Sequence, residues 1–552
     1  NSESAMFSLE KIPTELHDTV NLHLQNFTES VQRLNLEFPE NEKIKNTLPR
    51  VFCCSEFVAQ TCTRQPQFLF DLIHSGDLFS ADVRQAYQQQ LNQYTIANDA
   101  DLMKFLRQFR NKHMVRIAWR DLAEWSDLSE TLADLTALAE SCIQFSLDYL
   151  YQQACARRGT PVLSDGTVQG LVVLGMGKLG AWELNYSSDI DLIFAYQCDG
   201  VLADRKETSY GEFFSRICRS LVKVLDETTA DGFVFRTDIR LRPFGDSGPV
   251  IMTFDGLENY YQTQAREWER YAMVKVRPVA GDQLGGEKFM QLIKPFVYRR
   301  YLDYGAFEEL RSLKVQITQE LQRKDRMDNV KLGPGGIREI EFIGQAFQLI
   351  RGGQDADLQE RRIQIILQLL GDKALLLPED SEILLKSYEF LRRVENHIQE
   401  YQDKQAHDLP KMPREQAILA FSMGYDNWSS FKAELDVVRE RVHCVFVQVF
   451  SMAEEQSKPS ASTEIWIGQA HEESILNKLA EIGYRKAEDV FSLLNNFKTS
   501  SAIKRLTTKG ATVLDKLMPQ IIDAVAQVKN PCTTLKRLCA LFEALAGRNV
   551  YL

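Results

Sequence analysis

The spacing of apolar residues changes along the chain. Residues 11–158 and most of the C-terminal half carry apolar side chains at three- and four-residue steps, which is the period of an α-helix. Between these parts, apolar runs and two-residue alternation predict strands at 171–174, 190–196 and 233–241, with a helix at about 211–227. The pattern therefore predicts a mostly α-helical protein with one embedded α/β domain.

Breaks in the helical pattern suggest where domains end. The stretch Arg157-Arg158-Gly159-Thr160-Pro161 stops a helix just before the strands. With 552 residues, the chain is too long for one hydrophobic core. We expect an N-terminal helical domain at 1–158, an α/β domain at 159–330, a helical bundle at 331–452, a serine-rich linker at 453–463 and the start of a longer helical region at 464–552.

Two long helices are predicted before the α/β segment. Asp127 can cap the helix at 127–157, whose leucines recur at helical steps. The helix at 100–122 carries five cations, which we interpret either as a solvated face or as a lip of the functional site that attracts phosphate: Arg107, Arg110, Lys112, Arg116 and Arg120.

Two carboxylates open the second predicted strand. Asp189 and Asp191 are two residues apart, and residues i and i+2 of a strand point to the same side of a sheet. Neighbouring carboxylates repel each other unless a cation lies between them, and Mg²⁺ prefers oxygen ligands. The pair therefore predicts a magnesium site, and the alternative is a strand-start turn that binds no metal.

The third predicted strand adds charge to the same surface. Its alternation places Asp238, Arg240 and Arg242 on the face opposite to Phe233 and Phe235. A third carboxylate would complete the metal site, and guanidinium groups match phosphate oxygens. Carboxylates for metal and arginines for phosphate are what in-line transfer at phosphorus requires.

A glycine-rich turn, Gly175-Met-Gly-Lys-Leu-Gly180, separates the first two strands. It matches the GxGxxG pattern of dinucleotide-binding folds, but that pattern opens a crossover connection of a dozen or more residues. Only eight residues separate Gly180 from Asp189, so such a crossover does not fit. We expect Gly177 and Gly180 to bring backbone N–H groups to a nucleotide phosphate instead.

Further polar residues are candidates for binding nucleotide or phosphate. Lys178 in the glycine turn either contacts phosphate or is solvated, and Lys275 is either a cation of the site or a surface residue. Arg338 and Glu341 follow a Gly-Pro-Gly-Gly turn and either belong to the site or form an ion network at a helix start.

Composition and charge exclude several classes of protein. Hydrophobic residues make up 44% and charged residues 26%, as in ordinary globular proteins. The net charge of −11 argues against nucleic acid or an anionic membrane as the main partner.

Ten scattered cysteines without CxxC predict a reduced, cytoplasmic protein. His407-Asp408 resembles the metal pair of hydrolytic HD domains, but no supporting residues follow, and we expect a loop there.

Longer strings carry a family resemblance. The glycine turn with Ser187-Ser188-Asp189-Ile190-Asp191 and Asp238 resembles the nucleotidyltransferase superfamily that includes DNA polymerase beta. Residues 40–552 further resemble bacterial glutamine synthetase adenylyltransferase. The strings that carry this resemblance are Gly175-Met-Gly-Lys-Leu-Gly180, Glu183-Leu-Asn-Tyr-Ser-Ser-Asp-Ile-Asp-Leu-Ile-Phe194, Arg240-Leu-Arg-Pro-Phe-Gly245, Trp268-Glu-Arg-Tyr-Ala-Met-Val-Lys275 and Gly335-Gly-Ile-Arg-Glu-Ile-Glu-Phe342.

The resemblance implies a polymerase-beta-like domain whose mixed sheet is flanked by helical domains. Enzymes of that family carry two nucleotidyltransferase units joined by a regulatory helical region. One unit adenylylates a tyrosine of glutamine synthetase with ATP, and the other removes AMP by phosphorolysis. This chain contains one such unit, and its sequence motifs are similar to those of the N-terminal, deadenylylating copy.

The resemblance also implies roles for the residues above. Asp189, Asp191 and Asp238 would hold one or two Mg²⁺ ions, and Arg240 and Arg242 would hold the phosphate that attacks adenylyl-tyrosine to release ADP. Glutamine synthetase would be the protein partner and a PII-type signalling protein a regulator, with neither nucleic acid nor membrane involved. The expected contacts to ADP, ATP or phosphate are Gly177, Lys178, Gly180, Ser188, Lys275, Arg338 and Glu341.

Three alternatives stay open at this point. The unit could work in the ATP-consuming direction, since both directions use the same metal site. It could instead be a regulatory module that binds nucleotide or a signal protein without catalysis, although all three carboxylates are present. A nucleic-acid polymerase is opposed by the acidic charge and by the lack of a basic groove interleaved with aromatic residues.

Overall fold

A computed structural model describes residues 7–81, 84–298, 328–455, 461–467, 472–506 and 508–547. The chain divides into two units, Asn1–Val447 and Gln448–Leu552. Among the described residues, none of the helices combines the length and hydropathy that a membrane span requires. All ten cysteines are free thiols.

The first unit begins with seven α-helices after a short 3₁₀ turn at Thr14–Leu16. Asp127 caps the seventh helix by accepting a hydrogen bond from the Glu130 N–H, which confirms the predicted cap. The helices are α1 His17–Arg33, α2 Glu42–Cys54, α3 Glu56–Arg64, α4 Pro66–His74, α5 Arg84–Asn92, α6 Asp99–Leu122 and α7 Leu128–Arg158.

The predicted α/β segment contains a five-stranded mixed sheet, with short helices between its strands. The central strand β1 pairs antiparallel with β2 and β5, whereas β3 and β4 pair parallel with β2. The antiparallel pairing of β1 with β2 excludes a helical crossover after the glycine turn, as expected. The strands are β1 Leu171–Gly175, β2 Ile190–Tyr196, β3 Thr237–Asp238, β4 Ile251–Thr253 and β5 Arg277–Gly281.

In the part of the chain that the structure describes, five helices accompany the sheet, and five more follow it within or beginning in the first unit. One continuous apolar core joins the N-terminal helices to the strands. The first five are α8 Gly177–Gly180, α9 Tyr210–Asp226, α10 Phe254–Thr263, α11 Glu267–Met273 and α12 Gln283–Val297. The next five are α13 Ile337–Arg351, α14 Ile363–Asp372, α15 Pro378–Gln402, α16 Pro413–Ser422 and α17 Trp428–Glu455.

The second unit is helical and has its own apolar core, which includes Trp466, Leu494 and Met518. The predicted linker at 453–463 overlaps the end of α17 and the start of the next helix, and its residues 456–460 lie outside the described residues. The helices are α18 Ala461–Ile467, α19 Glu472–Ile482, α20 Ala487–Thr499, α21 Ser501–Lys504, α22 Thr508–Ala526 and α23 Pro531–Gly547.

Two expectations from the sequence are wrong. The strand predicted at 233–241 is paired only over Thr237–Asp238, because the chain turns at residue 240 and enters a 3₁₀ turn at Gly245–Ser247. The α6 arginines form neither a solvated face nor a phosphate-binding lip, since all four are buried: Arg107, Arg110, Arg116 and Arg120.

Candidate active site

Two of the three predicted carboxylates lie on adjacent parallel strands. Asp191 on β2 is the register partner of Asp238 on β3, and Asp189 directly precedes β2. Burial and the nearby carboxylates of Asp238 and Asp189 raise the pKa of Asp191 to about 6. The pairing of β2 with β3 therefore brings the negative charges of all three acids into one region.

Each outer carboxylate has an arginine partner. Arg236 Nε donates to Asp189 Oδ1 at 3.0 Å and its Nη2 donates to the Ser187 carbonyl at 2.7 Å. Arg240 donates to Asp238 from its backbone N–H at 2.8 Å and from Nε at 2.9 Å. The Arg240 hydrogen bond is the first cause that lowers the pKa of Asp238. Asp238 is thus held as a carboxylate.

An open cleft of about 400 Å³ lies against these groups. Its volume is in the range of sites that hold a small ligand. The cleft is lined by carboxylates, guanidinium groups and polar side chains rather than by an apolar wall, which suits a charged ligand such as phosphate. The residues that line it are Asp189, Asp226, Arg236, Thr237, Asp238, Ile239, Arg240 and Gln405.

The donor set fits a hard divalent cation. Carboxylate oxygens are the ligands that Mg²⁺ prefers, and a cation would offset the crowding that raises the Asp191 pKa. Among the described residues, however, the three acids are not a closed cluster, since their ligand atoms do not all lie within 4.8 Å of one another. A cation such as Mg²⁺ would lie between β2 and β3. The residues that would hold it are Asp189, Asp191 and Asp238.

The glycine turn combines an open side with a packed side. Gly177 has a left-handed φ of +54°, and a Cβ there would lie 3.1 Å from Asp191 Oδ2. A Cβ at Gly180 would lie only 2.0 Å from the Lys275 carbonyl oxygen, so tight packing requires this glycine. The turn thus approaches the acids at Gly177 and packs on the chain before β5 at Gly180.

Lys178 points away from solvent. Its Nζ donates to both Glu395 oxygens, at 3.0 and 3.2 Å, and burial lowers the pKa of Lys178 to about 7. Ser188, also predicted as a ligand, donates from Oγ to the Asp189 carbonyl at 3.0 Å. Lys178 thus anchors the glycine turn to α15, and the solvated alternative for it is wrong.

Lys275 lies in a buried ion cluster. Its Nζ donates to Glu183 and to Glu341, both at 3.2 Å. Although burial opposes ionisation, Lys275 and Lys178 lower the pKa of Glu341 to about 2. The surface alternative for Lys275 is therefore wrong. The Arg338 guanidinium, which was predicted as a ligand as well, lies over the Tyr271 ring at 5.7 Å from its centroid. Lys275 and Glu341 thus have each other as partners, across 66 residues of sequence rather than within the start of one helix.

The two arginines predicted to hold phosphate differ in exposure. The Arg240 side chain is 71% exposed at the cleft, whereas Arg242 is buried. Arg242 Nη1 donates to the Ile239 carbonyl at 2.7 Å and so closes the turn after β3. The two side chains do not share a strand face because β3 ends before them.

The residues that position the site from α15 escaped the sequence analysis. Asn396 Oδ1 accepts from the Tyr186 N–H at 3.2 Å, and Gln399 Oε1 accepts from the Ser187 N–H at 2.8 Å. Together with Glu395 they hold the glycine turn and the loop before Asp189. Their three- and four-residue spacing was visible, but polar residues at helical steps are more typical of a solvated face.

Two family models match the chain. A model described as glutamate-ammonia ligase adenylyltransferase matches residues 45–292, which include the three acids and the glycine turn. A second, described as GlnD PII-uridylyltransferase, matches residues 311–450, which include α15. Together the matched regions cover the site and the helices that support it.

Curated relatives match nearly the whole chain. A protein from Nitrosococcus oceani is 45% identical over 99% of this chain and 57% of its own length. One from Methylococcus capsulatus is 46% identical over 93% of this chain and 54% of its own length. One from Pseudomonas aeruginosa is 41% identical over 91% of this chain and 52% of its own length. The chain thus spans little more than half the length of these proteins. Each is named a bifunctional glutamine synthetase adenylyltransferase/adenylyl-removing enzyme, and this chain is similar to these proteins over nearly its whole length.

Proposed function

We propose that this chain is the adenylyl-removing part of such an enzyme and cleaves AMP from adenylyl-tyrosine of glutamine synthetase by phosphorolysis. The observation that carries the proposal is that Asp189 and Asp238 line one cleft beside an exposed arginine, with Asp191 paired in register to Asp238 on the neighbouring strand. The names of the curated relatives include this activity. We further propose that the sheet is of the DNA polymerase beta type.

The chemistry divides between the acids and the arginines. An oxygen of inorganic phosphate forms a bond to the AMP phosphorus, the bond to the tyrosine oxygen breaks, and ADP and the phenolate leave. Mg²⁺ held by the three acids would supply positive charge to the phosphoryl oxygens and to the leaving oxygen, whose ordinary pKa is about 10. Arg240, exposed at the cleft, is our candidate for binding the incoming phosphate.

The buried polar groups have a positioning role in this proposal. Lys178 and Arg236 connect the glycine turn and Asp189 to their surroundings, and Gly177 leaves room beside Asp191. Fixed donors and acceptors lower the reorganisation needed when charge develops at phosphorus. The contacts described above would hold the segments around the site in place. The residues that make them are Lys275, Arg338, Glu341 and Arg242.

Partners follow from the same proposal. Glutamine synthetase would be the protein substrate in a cytoplasmic setting that suits ten free thiols. The family name matched by residues 311–450 includes PII, so we propose a PII-type protein as a regulator. A second candidate function is ATP-dependent adenylylation, because the names of the relatives include it as well.

The test uses adenylylated glutamine synthetase and radiolabelled inorganic phosphate. We expect Mg²⁺-dependent transfer of the label into ADP, and no comparable AMP incorporation from ATP into the unmodified enzyme. Asp189→Asn combined with Asp191→Asn should lower the rate at least about 10³-fold without unfolding the chain. Exposed Glu287→Gln is the control for a carboxylate-to-amide change.

Three outcomes decide against the proposal. Phosphorolysis retained in the double variant would remove Asp189 and Asp191 from the reaction. Incorporation of AMP from ATP without ADP formation from phosphate would favour the adenylylating direction. Absence of both reactions, with nucleotide binding preserved, would favour a regulatory module.

A further inference from the structure

A second group of ionisable side chains lies buried away from the cleft residues. Asp121 near the end of α6 faces His397 and Glu400, which are three residues apart on one side of α15. The ligand atoms of the three residues lie within 4.8 Å of one another. Asp121 is 6% exposed, His397 is 4% and Glu400 is 0%. Among the described residues, no other group of three or more histidine, cysteine, aspartate or glutamate side chains has its ligand atoms this close together.

The atoms that face each other in this group have no hydrogen-bond partner. They are Asp121 Oδ2, His397 Nε2 and both carboxylate oxygens of Glu400. Burying a polar atom without a partner destabilises the folded chain, and burying a charged group without a partner does so more strongly. Because four such atoms converge from two helices, the arrangement indicates that something binds between them.

The hydrogen bonding of His397 indicates what that is. The Ser422 hydroxyl donates to the Leu419 carbonyl at 2.9 Å, so its oxygen accepts from His397 Nδ1 at 3.0 Å. With the proton on Nδ1, the Nε2 lone pair faces Asp121. The distance from Nε2 to Asp121 Oδ2 is 3.9 Å, too long for a hydrogen bond. Two ligand atoms that bind one ion with bonds of about 2.0–2.2 Å lie at most about 4.3 Å apart, so one ion can bridge this distance.

We propose that Asp121, His397 and Glu400 bind a divalent transition-metal ion, with Zn²⁺ as the best match. One imidazole nitrogen and two carboxylates are zinc ligands, whereas Mg²⁺ prefers oxygen alone. Two carboxylates and a neutral imidazole carry two negative charges, which one divalent ion balances. The Ser422 hydroxyl orients the ring, as partners of metal-bound histidines do.

The competing explanation is a shared proton. Burial and the neighbouring Asp121 raise the pKa of Glu400 well above its ordinary value, so a protonated Glu400 could donate to Asp121. A protonated carboxyl would satisfy one oxygen of each acid, but it would leave the 3.9 Å gap between His397 Nε2 and Asp121 Oδ2 unbridged. The metal accounts for all three groups at once.

The position of the group gives the metal a structural role. It would join α6 to α15 at residues that directly follow Asn396 and Gln399, which hold the loop before Asp189. The ion would therefore stiffen the helix that positions the active site without touching the cleft. This inference is independent of the reaction proposed above, because it does not depend on which direction the cleft catalyses.

The test measures metal in the complete 552-residue chain after dialysis against a weak chelator. We expect about one equivalent of Zn²⁺ by elemental analysis. Replacement with Co²⁺ should give visible absorption bands that imidazole and carboxylate ligands produce. Asp189→Asn with Asp191→Asn should keep this equivalent, which separates it from any metal in the cleft. Glu389→Gln, an exposed change on the same helix, is the control.

The variants separate a metal from a proton. His397→Gln and Glu400→Gln should each lose the bound equivalent and the rise in melting temperature on adding Zn²⁺. If a proton is shared instead, the wild type will bind neither Zn²⁺ nor Co²⁺, and Glu400→Gln will keep full thermal stability because its amide can donate to Asp121. Absence of the cobalt bands in the folded wild-type chain overturns the proposal whatever the variants do.

Discussion

At the scale of single residues, charged groups in this protein act mainly by being buried in pairs. Arg110 donates to both oxygens of Asp403, at 2.5 and 2.9 Å, and Arg107 donates to the Gly232 carbonyl at 2.8 Å. Such pairs contribute less to net stability than their geometry suggests, but removal of one partner costs about 3–5 kcal/mol. They therefore fix which surfaces meet.

Gly180 is a position where a single methyl group should matter. Gly180→Ala places Cβ against the Lys275 and Gly175 carbonyl oxygens, which are backbone atoms that cannot turn aside. We expect a loss of about 3 kcal/mol or more in the free energy of unfolding, measured with urea. Gly170→Ala, whose Cβ would meet Asp282 at an ordinary 3.4 Å, is the control and should cost less than 1 kcal/mol. Equal losses in both variants would refute the packing role.

Glu341 predicts a dependence of stability on pH. Its pKa is about 2 in the folded chain, against an ordinary 4.5, so the unfolded state takes up the proton first as the pH falls. The stabilisation is fully present above pH 4.5 and is lost as the pH falls towards 2. It amounts to about 3 kcal/mol.

Urea unfolding at pH 5 and pH 3 checks this prediction. The wild type should lose more stability between these two values than Glu341→Gln, which has no proton to gain at this position. An identical loss in the two proteins would show that Glu341 is not held ionised by Lys275 and Lys178.

At the scale of elements, α15 positions the active site. Its side chains bind the glycine turn and the loop before β2 through Glu395, Asn396 and Gln399. All three partners are more than 200 residues away along the chain. The helix thus positions segments that are distant from it in sequence.

Removal of the α15 contacts should slow the reaction more than it unfolds the chain. In Asn396→Ala with Gln399→Ala, the loop before Asp189 loses two acceptors, and small shifts of a reacting group cost up to about 10²-fold in rate. We expect kcat of phosphorolysis to fall at least about 10-fold. The thermal transition should stay cooperative. Lys386→Ala, exposed on the same helix, should leave kcat unchanged. An unchanged kcat in the double variant would contradict the positioning role.

At the scale of the whole molecule, the chain has two units with separate apolar cores. The core shared by the N-terminal helices and the sheet is built from residues of the first unit, and the core around Trp466 belongs to the second. Every residue of the proposed site lies in the first unit. The site therefore needs only that unit's core to be assembled.

A fragment of residues 1–455, which keeps α17 whole, should fold alone. We expect calorimetry of the complete chain to show two transitions and the fragment to show one at the same temperature. The fragment should also retain phosphorolysis of adenylylated glutamine synthetase. Aggregation of the fragment, or loss of its transition, would show that the first unit depends on the second.

The sequence by itself determined the local features of this protein. Helical periodicity predicted α7 with its Asp127 cap, and the apolar runs predicted β1 and β2. The proximity of Asp189 and Asp191 followed from two-residue spacing alone. These features were predictable because they depend on residues a few positions apart, where backbone geometry sets direction.

Only the tertiary structure decided which polar groups face the cleft and which are buried. Arg240 and Arg242 have the same chemistry and lie two residues apart, yet one lines the cleft and the other closes a turn. Lys275 pairs with Glu341 on a helix far away in sequence, and Asp121 lies close to His397 and Glu400 on another. Burial depends on contacts between distant segments, and periodicity cannot distinguish a polar stripe that faces solvent from one that faces another polar surface.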